Sequence, residues 1–291
     1  ANWTLSLNLE NQDKEGDQAH GGNQGFSGTA VIPSPVEYNT GQMTARAEYA
    51  DSRLQSALEL YLSKFENDND SVTYQNAQYA GTPASGSDPA RPLGLAEIDL
   101  PPENEFLRLG VDGGYSLDPR TRLSWFADWS RGEQDDDFLP LHIDPVFYPS
   151  VNPVFPARSL DGEVERTALK LSLAGRPFAR FDYRVELDYR DRDAKHDPFP
   201  AELVSYTGSA SSGYSSRVYD RQTQSFAVEG GYRFANRMRL RGGYEFEAID
   251  RDTDEYDALG APESFTDSTD ADRFWLELKL PELGALSTKL R

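Results

Sequence analysis

Few residues of this chain have types and spacings that could do chemistry. His20, His142 and His196 all fall in polar stretches and no pair stands at a metal-ligand spacing, so each reads as a solvated loop imidazole rather than a haem or metal ligand. Asp68-Asn69-Asp70 and Asp252-Thr253-Asp254-Glu255 carry enough oxygen atoms for Ca²⁺, yet both lack the glycine turn and distal glutamate of an EF-hand loop and read as solvated acidic loops. Gly16, Gly21, Gly22 and Gly25 form no phosphate cradle, because no strand and helix flank them in the required order. The serines and histidines lie mainly in loops or isolated on strands, so no nucleophile, base and orienting acid can be assembled. The chain is expected not to be an enzyme. With no cysteine it can form neither disulfides nor thiolate metal sites, and it cannot attach haem through a C-x-x-C-H sequence.

The chemistry that remains is charge set against apolar side chains with a period of two. In residues 180–191, Phe181, Tyr183, Val185, Leu187 and Tyr189 fall on one side, while Asp182, Arg184, Glu186, Asp188 and Arg190 fall on the other. Side chains of a β-strand point alternately to its two faces, so this segment is a strand with an apolar face and a charged face. Lys170 is brought beside it by a tight hairpin. A second ladder reads Arg237, Arg239, Arg241, Glu245 and Glu247, together with Glu229 and Arg233. Opposite charges on neighbouring strands stabilise by about 0.2–1 kcal/mol per pair, so the ladders could serve to hold a wet wall together. They could equally meet a soluble protein or ions, and the two roles are compatible.

The elements that position these ladders share the same period. It recurs at 107–117, 123–130, 169–173, 226–234, 238–247 and 274–280, and earlier at 3–9, 42–50 and 54–65. About eleven strands result, most near the roughly 9–11 residues that cross a membrane in a barrel or somewhat longer. Tight turns at Asp51-Ser52-Arg53, Asp118-Pro119-Arg120, Pro177-Phe178-Ala179, Ala235-Asn236 and Glu282-Leu283-Gly284 alternate with long polar segments near 11–41, 66–103, 133–162, 192–220 and 251–271. Short turns on one rim and long loops on the other are the pattern of up-and-down outer-membrane barrels, with the turns periplasmic and the loops extracellular. A soluble β-sandwich has no reason to alternate its connections in this way. Aromatic residues on 180–191 sit toward both ends, as girdles at the two interfaces of a bilayer would.

Composition agrees. Mean hydropathy is −0.67 and no apolar run approaches the roughly 20 residues of a membrane helix, but alternation hides a barrel's lipid face from any average. The 49 acidic and 29 basic residues give a net charge of −20, which disfavours nucleic acid as a partner. Ala1 leads almost directly into the alternating run 3–9, without a signal peptide, so the expectation is a processed chain or an internal piece.

Several blocks resemble the decahaem-associated outer-membrane β-barrel family of the MtrB/PioB type. They are Ile32-Pro33-Ser34-Pro35-Val36-Glu37-Tyr38-Asn39-Thr40, Tyr61-Leu62-Ser63-Lys64-Phe65-Glu66-Asn67-Asp68-Asn69-Asp70, and Leu117-Asp118-Pro119-Arg120-Thr121-Arg122-Leu123 with Asp135-Asp136-Asp137-Phe138-Leu139-Pro140. Further on come Arg176-Pro177, Leu240-Arg241-Gly242-Gly243-Tyr244-Glu245-Phe246-Glu247-Ala248-Ile249-Asp250-Arg251 and Thr269-Asp270-Ala271-Asp272-Arg273-Phe274-Trp275-Leu276-Glu277-Leu278. They run in order through nearly the whole chain. The resemblance implies a Gram-negative outer-membrane barrel that surrounds a periplasmic multihaem cytochrome for extracellular electron transfer, often with a second multihaem cytochrome outside. Haem would be carried by the partner and none by this chain. Family barrels are longer, and an odd count of strands implies that residues 1–291 form a single barrel domain that is a portion of a larger barrel. The alternative from another class is a general porin or solute transporter whose charged ladder selects solutes.

Overall fold

The computed structural model describes residues 2–23, 29–75, 95–139, 158–195, 200–204, 210–215, 219–235, 237–253, 266–280 and 289–290. The strands are β1 (Trp3–Asn23), β2 (Thr29–Ala50), β3 (Leu54–Asn67), β4 (Ser71–Gln75), β5 (Leu95–Asp99), β6 (Asn104–Asp118), β7 (Thr121–Gln134) and β8 (Gly162–Phe178). They continue with β9 (Phe181–Ala194), β10 (Pro200–Val204), β11 (Ala210–Ser215), β12 (Tyr219–Arg233), β13 (Arg239–Thr253), β14 (Ser268–Lys279) and the two-residue β15 (Lys289–Leu290). Eleven of them form one sheet in the order β1-β2-β3-β6-β7-β8-β9-β12-β13-β14-β15. Every pairing is antiparallel and joins a strand to its neighbour in that order. The remaining four make two small hairpins, β4 with β5 and β10 with β11, inside long connections. The sheet is not closed on itself among the described residues.

Register converts the period of two into two continuous faces. Leu60 opposes Leu109, Leu109 opposes Trp129, Leu171 opposes Leu187, and Leu187 opposes Phe226. Apolar residues thus extend from strand to strand on one side. That side is uncovered: Leu5, Leu58, Leu109, Leu187 and Leu276 are all exposed, and the buried hydrophobic residues among those described are only Ile32, Val36, Ala57, Leu100, Ala194 and Ile249. A sandwich would bury this face against a second sheet, and none packs there among the described residues. The apolar part of β9, from Phe181 to Tyr189, spans about 26 Å of strand, or roughly 20 Å along the normal at a barrel's tilt, close to a bilayer's apolar band.

Most strands run somewhat past that band, as expected, but β1 and β2 run far past it, which corrects the expectation of a long loop over 11–41. The ten long strands run from 12 residues in β14 to 22 in β2. The largest share of the surplus is in residues 11–41, for which the sequence suggests a loop. Instead Asn11 to Asn23 pairs without interruption with Gly41 to Thr29. His20, Gly16, Gly21 and Gly22 therefore stand on β1 rather than in a loop. A two-stranded ribbon pairs the facing half of its backbone hydrogen-bonding groups, and here Ile32, Ser34 and Val36 are also buried on one face of it. One tight turn also shifts: β8 continues through Phe178 and the reversal occurs at Ala179 and Arg180.

Candidate functional site

The charged face carries the only dense array of functional side chains among the described residues, where no three potential metal ligands gather. Asp182, Arg184, Glu186, Asp188 and Arg190 of β9 share this face with Lys170 of β8, because Lys170 registers with Asp188. Through β12 the face continues to Arg239, Arg241, Glu245 and Glu247 of β13, since Gly231 registers with both Asp182 and Arg241. On the other side it runs through Asp128, Asp112, Glu59 and Arg46.

These charges satisfy one another. Arg46 of β2 meets Glu59 of β3 at 3.0 Å and Asp112 of β6 at 3.3 Å, while Arg108 of β6 pairs with Asp128 of β7 and lies 3.7 Å from Glu59. Lys170 reaches Glu186 at 2.5 Å and Asp188 at 3.6 Å, and Arg184 and Arg190 close on Glu186 and Asp188 of their own strand. Arg241 lies 3.5 Å from Glu229, and Arg273 of β14 lies 3.1 Å from Glu245. Each pair is partly exposed, so each stabilises by no more than about 1 kcal/mol, and their main effect is cancellation of charge along the wall. Cations and anions on this face come out close to level, although the chain carries 49 acidic residues against 29 basic. The acidic excess lies beyond the wall, at the long-loop end, in residues such as Asp13, Glu66, Asp68, Asp135, Asp136 and Asp220.

Small residues let pairs form between strands that are not neighbours. Arg239 of β13 meets Asp182 of β9 at 3.1 Å across the intervening β12, where Gly231 lies between them. A Cβ on Gly231 would stand 2.8 Å from Asp182 Oδ2, so any side chain there would displace the carboxylate. In the same way Arg122 of β7 crosses β6 at Gly114 and donates to Gln55 of β3 at 3.1 Å.

The short-turn rim is different. Arg53, Arg120, Arg176, Arg180, Arg233 and Arg237 are exposed there, and none makes an ion pair among the described residues. The carboxylates at the same turns are engaged locally. Asp51 accepts hydrogen bonds from the backbone N–H of Arg53 and Leu54, both at 2.7 Å, and Asp118 accepts one from Arg120 N–H at 2.7 Å. Donation by Leu54 first and Arg53 second holds the Asp51 carboxyl below the usual carboxylate range.

Of the eleven residues expected on the charged face, ten are placed on it. Arg237 is not: it occupies the turn before β13 with φ 64°, so the parity of Arg239 does not extend to it. Glu247 faces Ser225 and Ala271 and has no ion pair among the described residues. His142, His196, Asp254, Glu255 and Gly25 lie outside the described residues. The network of Arg46, Glu59, Arg108, Asp112 and Asp128 was not anticipated, nor were Tyr61, Phe106 and Trp275 on the charged face. The parity of each was readable, but which charges meet depends on strand register.

Residues 1–291 match the family described as "Putative outer membrane beta-barrel porin, MtrB/PioB". Outer membrane protein MtrB of Shewanella baltica (strain OS185) is 24% identical over 257 residues, covering 86% of this chain and 33% of that protein. The chain therefore spans about a third of the length of this curated relative. Among solved structures, the ferric yersiniabactin uptake receptor FyuA from Yersinia pestis aligns with a TM-score of 0.49 at 13% identity, covering 95% of this chain and 39% of that one. The ferric enterobactin receptor PfeA from Pseudomonas aeruginosa aligns with a TM-score of 0.46 at 12% identity, covering 96% and 37%.

Proposed function

Since this chain belongs to the MtrB/PioB family of outer-membrane β-barrels, we propose that it is a wall segment, its uncovered apolar face toward lipid and its charged face toward the lumen, of a barrel that sheathes a periplasmic multihaem cytochrome for electron transfer across the outer membrane. Haem belongs to that partner. A second, extracellular multihaem cytochrome would approach the long-loop rim. The wall itself carries out no catalysis: it holds the partner in place and keeps its electron path apart from lipid.

The observation that carries this reading is the self-neutralised lumen face. A channel that selects solutes by charge needs a ring of one sign or a narrow constriction. Here Arg46, Arg108, Lys170, Arg184, Arg239 and Arg241 each have a carboxylate within ion-pair distance, so the wall offers balanced, hydrogen-bonded surface with little preference for either sign of ion. Such a lining suits a resident protein better than a solute filter. The absence of cysteine throughout the chain fits a sheath whose electrons run through another protein's cofactors.

The test is haem absorbance retained by the tagged full-length barrel when it is purified from the outer membrane in mild detergent. The sheath reading expects several haems per barrel. A haem-free barrel that conducts ions in planar bilayers would support the porin reading instead.

A further inference from the structure

We infer that the short-turn mouth of the barrel is a cationic collar that docks the acidic face of a soluble protein entering from the periplasm. This rests on the sheath reading above and names the chemistry by which the partner is recognised. The collar consists of Arg53, Arg120, Arg176, Arg180, Arg233 and Arg237, all exposed and without ion pairs among the described residues.

Register makes the collar more than a scatter of surface charge. Arg233 stands directly opposite Arg239, and Arg233 N–H donates to the carbonyl of Arg180 at 2.8 Å, so Arg180, in the turn that enters β9, lies beside two arginines on the adjacent strands β12 and β13. Arg176 N–H donates to the carbonyl of Arg120 at 2.9 Å, which places a second pair laterally. Like charges set opposite one another on neighbouring strands repel. Only Asp182 relieves the row of three, and it is committed to Arg239. Asp51 and Asp118, the acids at two of the turns, accept backbone N–H groups there and stay charged beside Arg53 and Arg120, which leaves Arg176, Arg180, Arg233 and Arg237 as the part of the collar without a nearby carboxylate among the described residues. Among the described residues the rim therefore holds positive charge in excess of its carboxylates, whereas Arg46, Arg108, Lys170, Arg239 and Arg241 of the wall above each have a carboxylate partner.

Placement decides between a soluble partner and phospholipid headgroups. Arg233 and Arg239 lie on the lumen face, the face of Asp182 and Glu229, and Arg180 stands in the turn beside Arg233. The row opens into the mouth of the barrel, away from the periplasmic leaflet. A positive mouth at the periplasmic end accelerates the encounter of an acidic protein and orients it before it reaches the neutral wall.

The experiment uses the full-length barrel with Arg180, Arg233 and Arg237 all replaced by Gln. Heat-modifiable mobility on gels reports folding. Two readouts follow: binding of poly-L-glutamate to the detergent-solubilised barrel, and haem absorbance retained after purification. The collar requires poly-L-glutamate to bind the wild type at least about ten-fold more tightly than the triple variant at low salt, with the difference shrinking as salt is raised. It also requires lower haem retention in the variant, and substitution by Lys at the same three positions should restore both. Equal binding and equal haem retention overturn the collar and leave the sheath standing. Loss of poly-L-glutamate binding from a barrel that never carries haem supports the collar's chemistry and overturns the sheath. Should the triple variant not fold, the wild type still decides: salt-insensitive poly-L-glutamate binding overturns the collar. Loss of affinity for phosphatidylglycerol vesicles with haem retention unchanged would assign the arginines to lipid and overturn it as well.

Discussion

The mid-wall and the short-turn rim are built from the same arginines put to opposite use. Arg239 and Arg241 sit where register supplies a carboxylate from a neighbouring or next-but-one strand, and they are neutralised at 3.1 and 3.5 Å. Arg233, on the neighbouring strand and directly opposite Arg239, has no such partner among the described residues, because its lateral neighbours are arginines. Residue type alone does not distinguish these roles. What distinguishes them is which residue the sheet places one strand away. A paired arginine is part of the wall's structure, and an unpaired one at the mouth is free to meet something else.

The comparison can be broken most forcefully from the lipid side. Leu187 and Glu186 are adjacent on β9 and point to opposite faces. Leu187→Arg should cost about 2–4 kcal/mol near the bilayer midplane, whereas Glu186→Gln should assemble nearly as the wild type, because Lys170 keeps Asp188 within reach at 3.6 Å. Folding yield into lipid vesicles checks both, and equal tolerance at the two positions would contradict the assignment of the faces.

A smaller effect sharpens the account of the wall. Gly231→Ala places a methyl group 2.8 Å from Asp182 Oδ2 and should destabilise the barrel by about 1 kcal/mol, since the carboxylate must move away from Arg239. At Gly230, on the apolar face, a Cβ would meet Phe181 Cε2 at an ordinary 3.5 Å. Gly230→Ala should be close to neutral in the same urea titration, so the two neighbours separate a specific gap from general glycine intolerance.

The smallest effect belongs to the rim. The Asp51 carboxyl is held below its ordinary value by hydrogen bonds that exist only in the folded turn, so its contribution is present above the unfolded carboxylate range and is lost as pH falls through the depressed folded value. Wild type and Asp51→Asn should therefore differ slightly in unfolding midpoint at neutral pH and converge in strong acid. A difference that grows as pH falls would reverse the sign and contradict the role given to this turn.

How much of this was legible in the sequence varies by segment for physical reasons. On β9 the alternation of apolar and charged residues is unbroken, and the structure places each side chain on the expected face. Residues 11–29 are mostly polar in both parities and give no strand signal, and Pro33 and Pro35 obscure the alternation of Ile32, Ser34 and Val36, which the structure buries on one face. The ribbon they form is held by pairing, which period analysis does not see. For Arg237 the parity of Arg239 and Arg241 misleads, because the residue lies in a turn where a positive φ breaks the alternation. The pairing of Arg46 with Asp112 or of Arg239 with Asp182 could not be read at all, because each depends on register across an intervening strand.

The central claim is that the charged face of this wall looks onto a haem protein while the apolar face looks onto lipid. A photo-crosslinking residue introduced at position 186 or 187 of the full-length barrel in intact outer membranes tests it most directly. The account predicts that position 186 yields a haem-staining adduct of higher mass and that position 187 yields lipid adducts alone. A haem-staining adduct from position 187, or none from position 186, would contradict it.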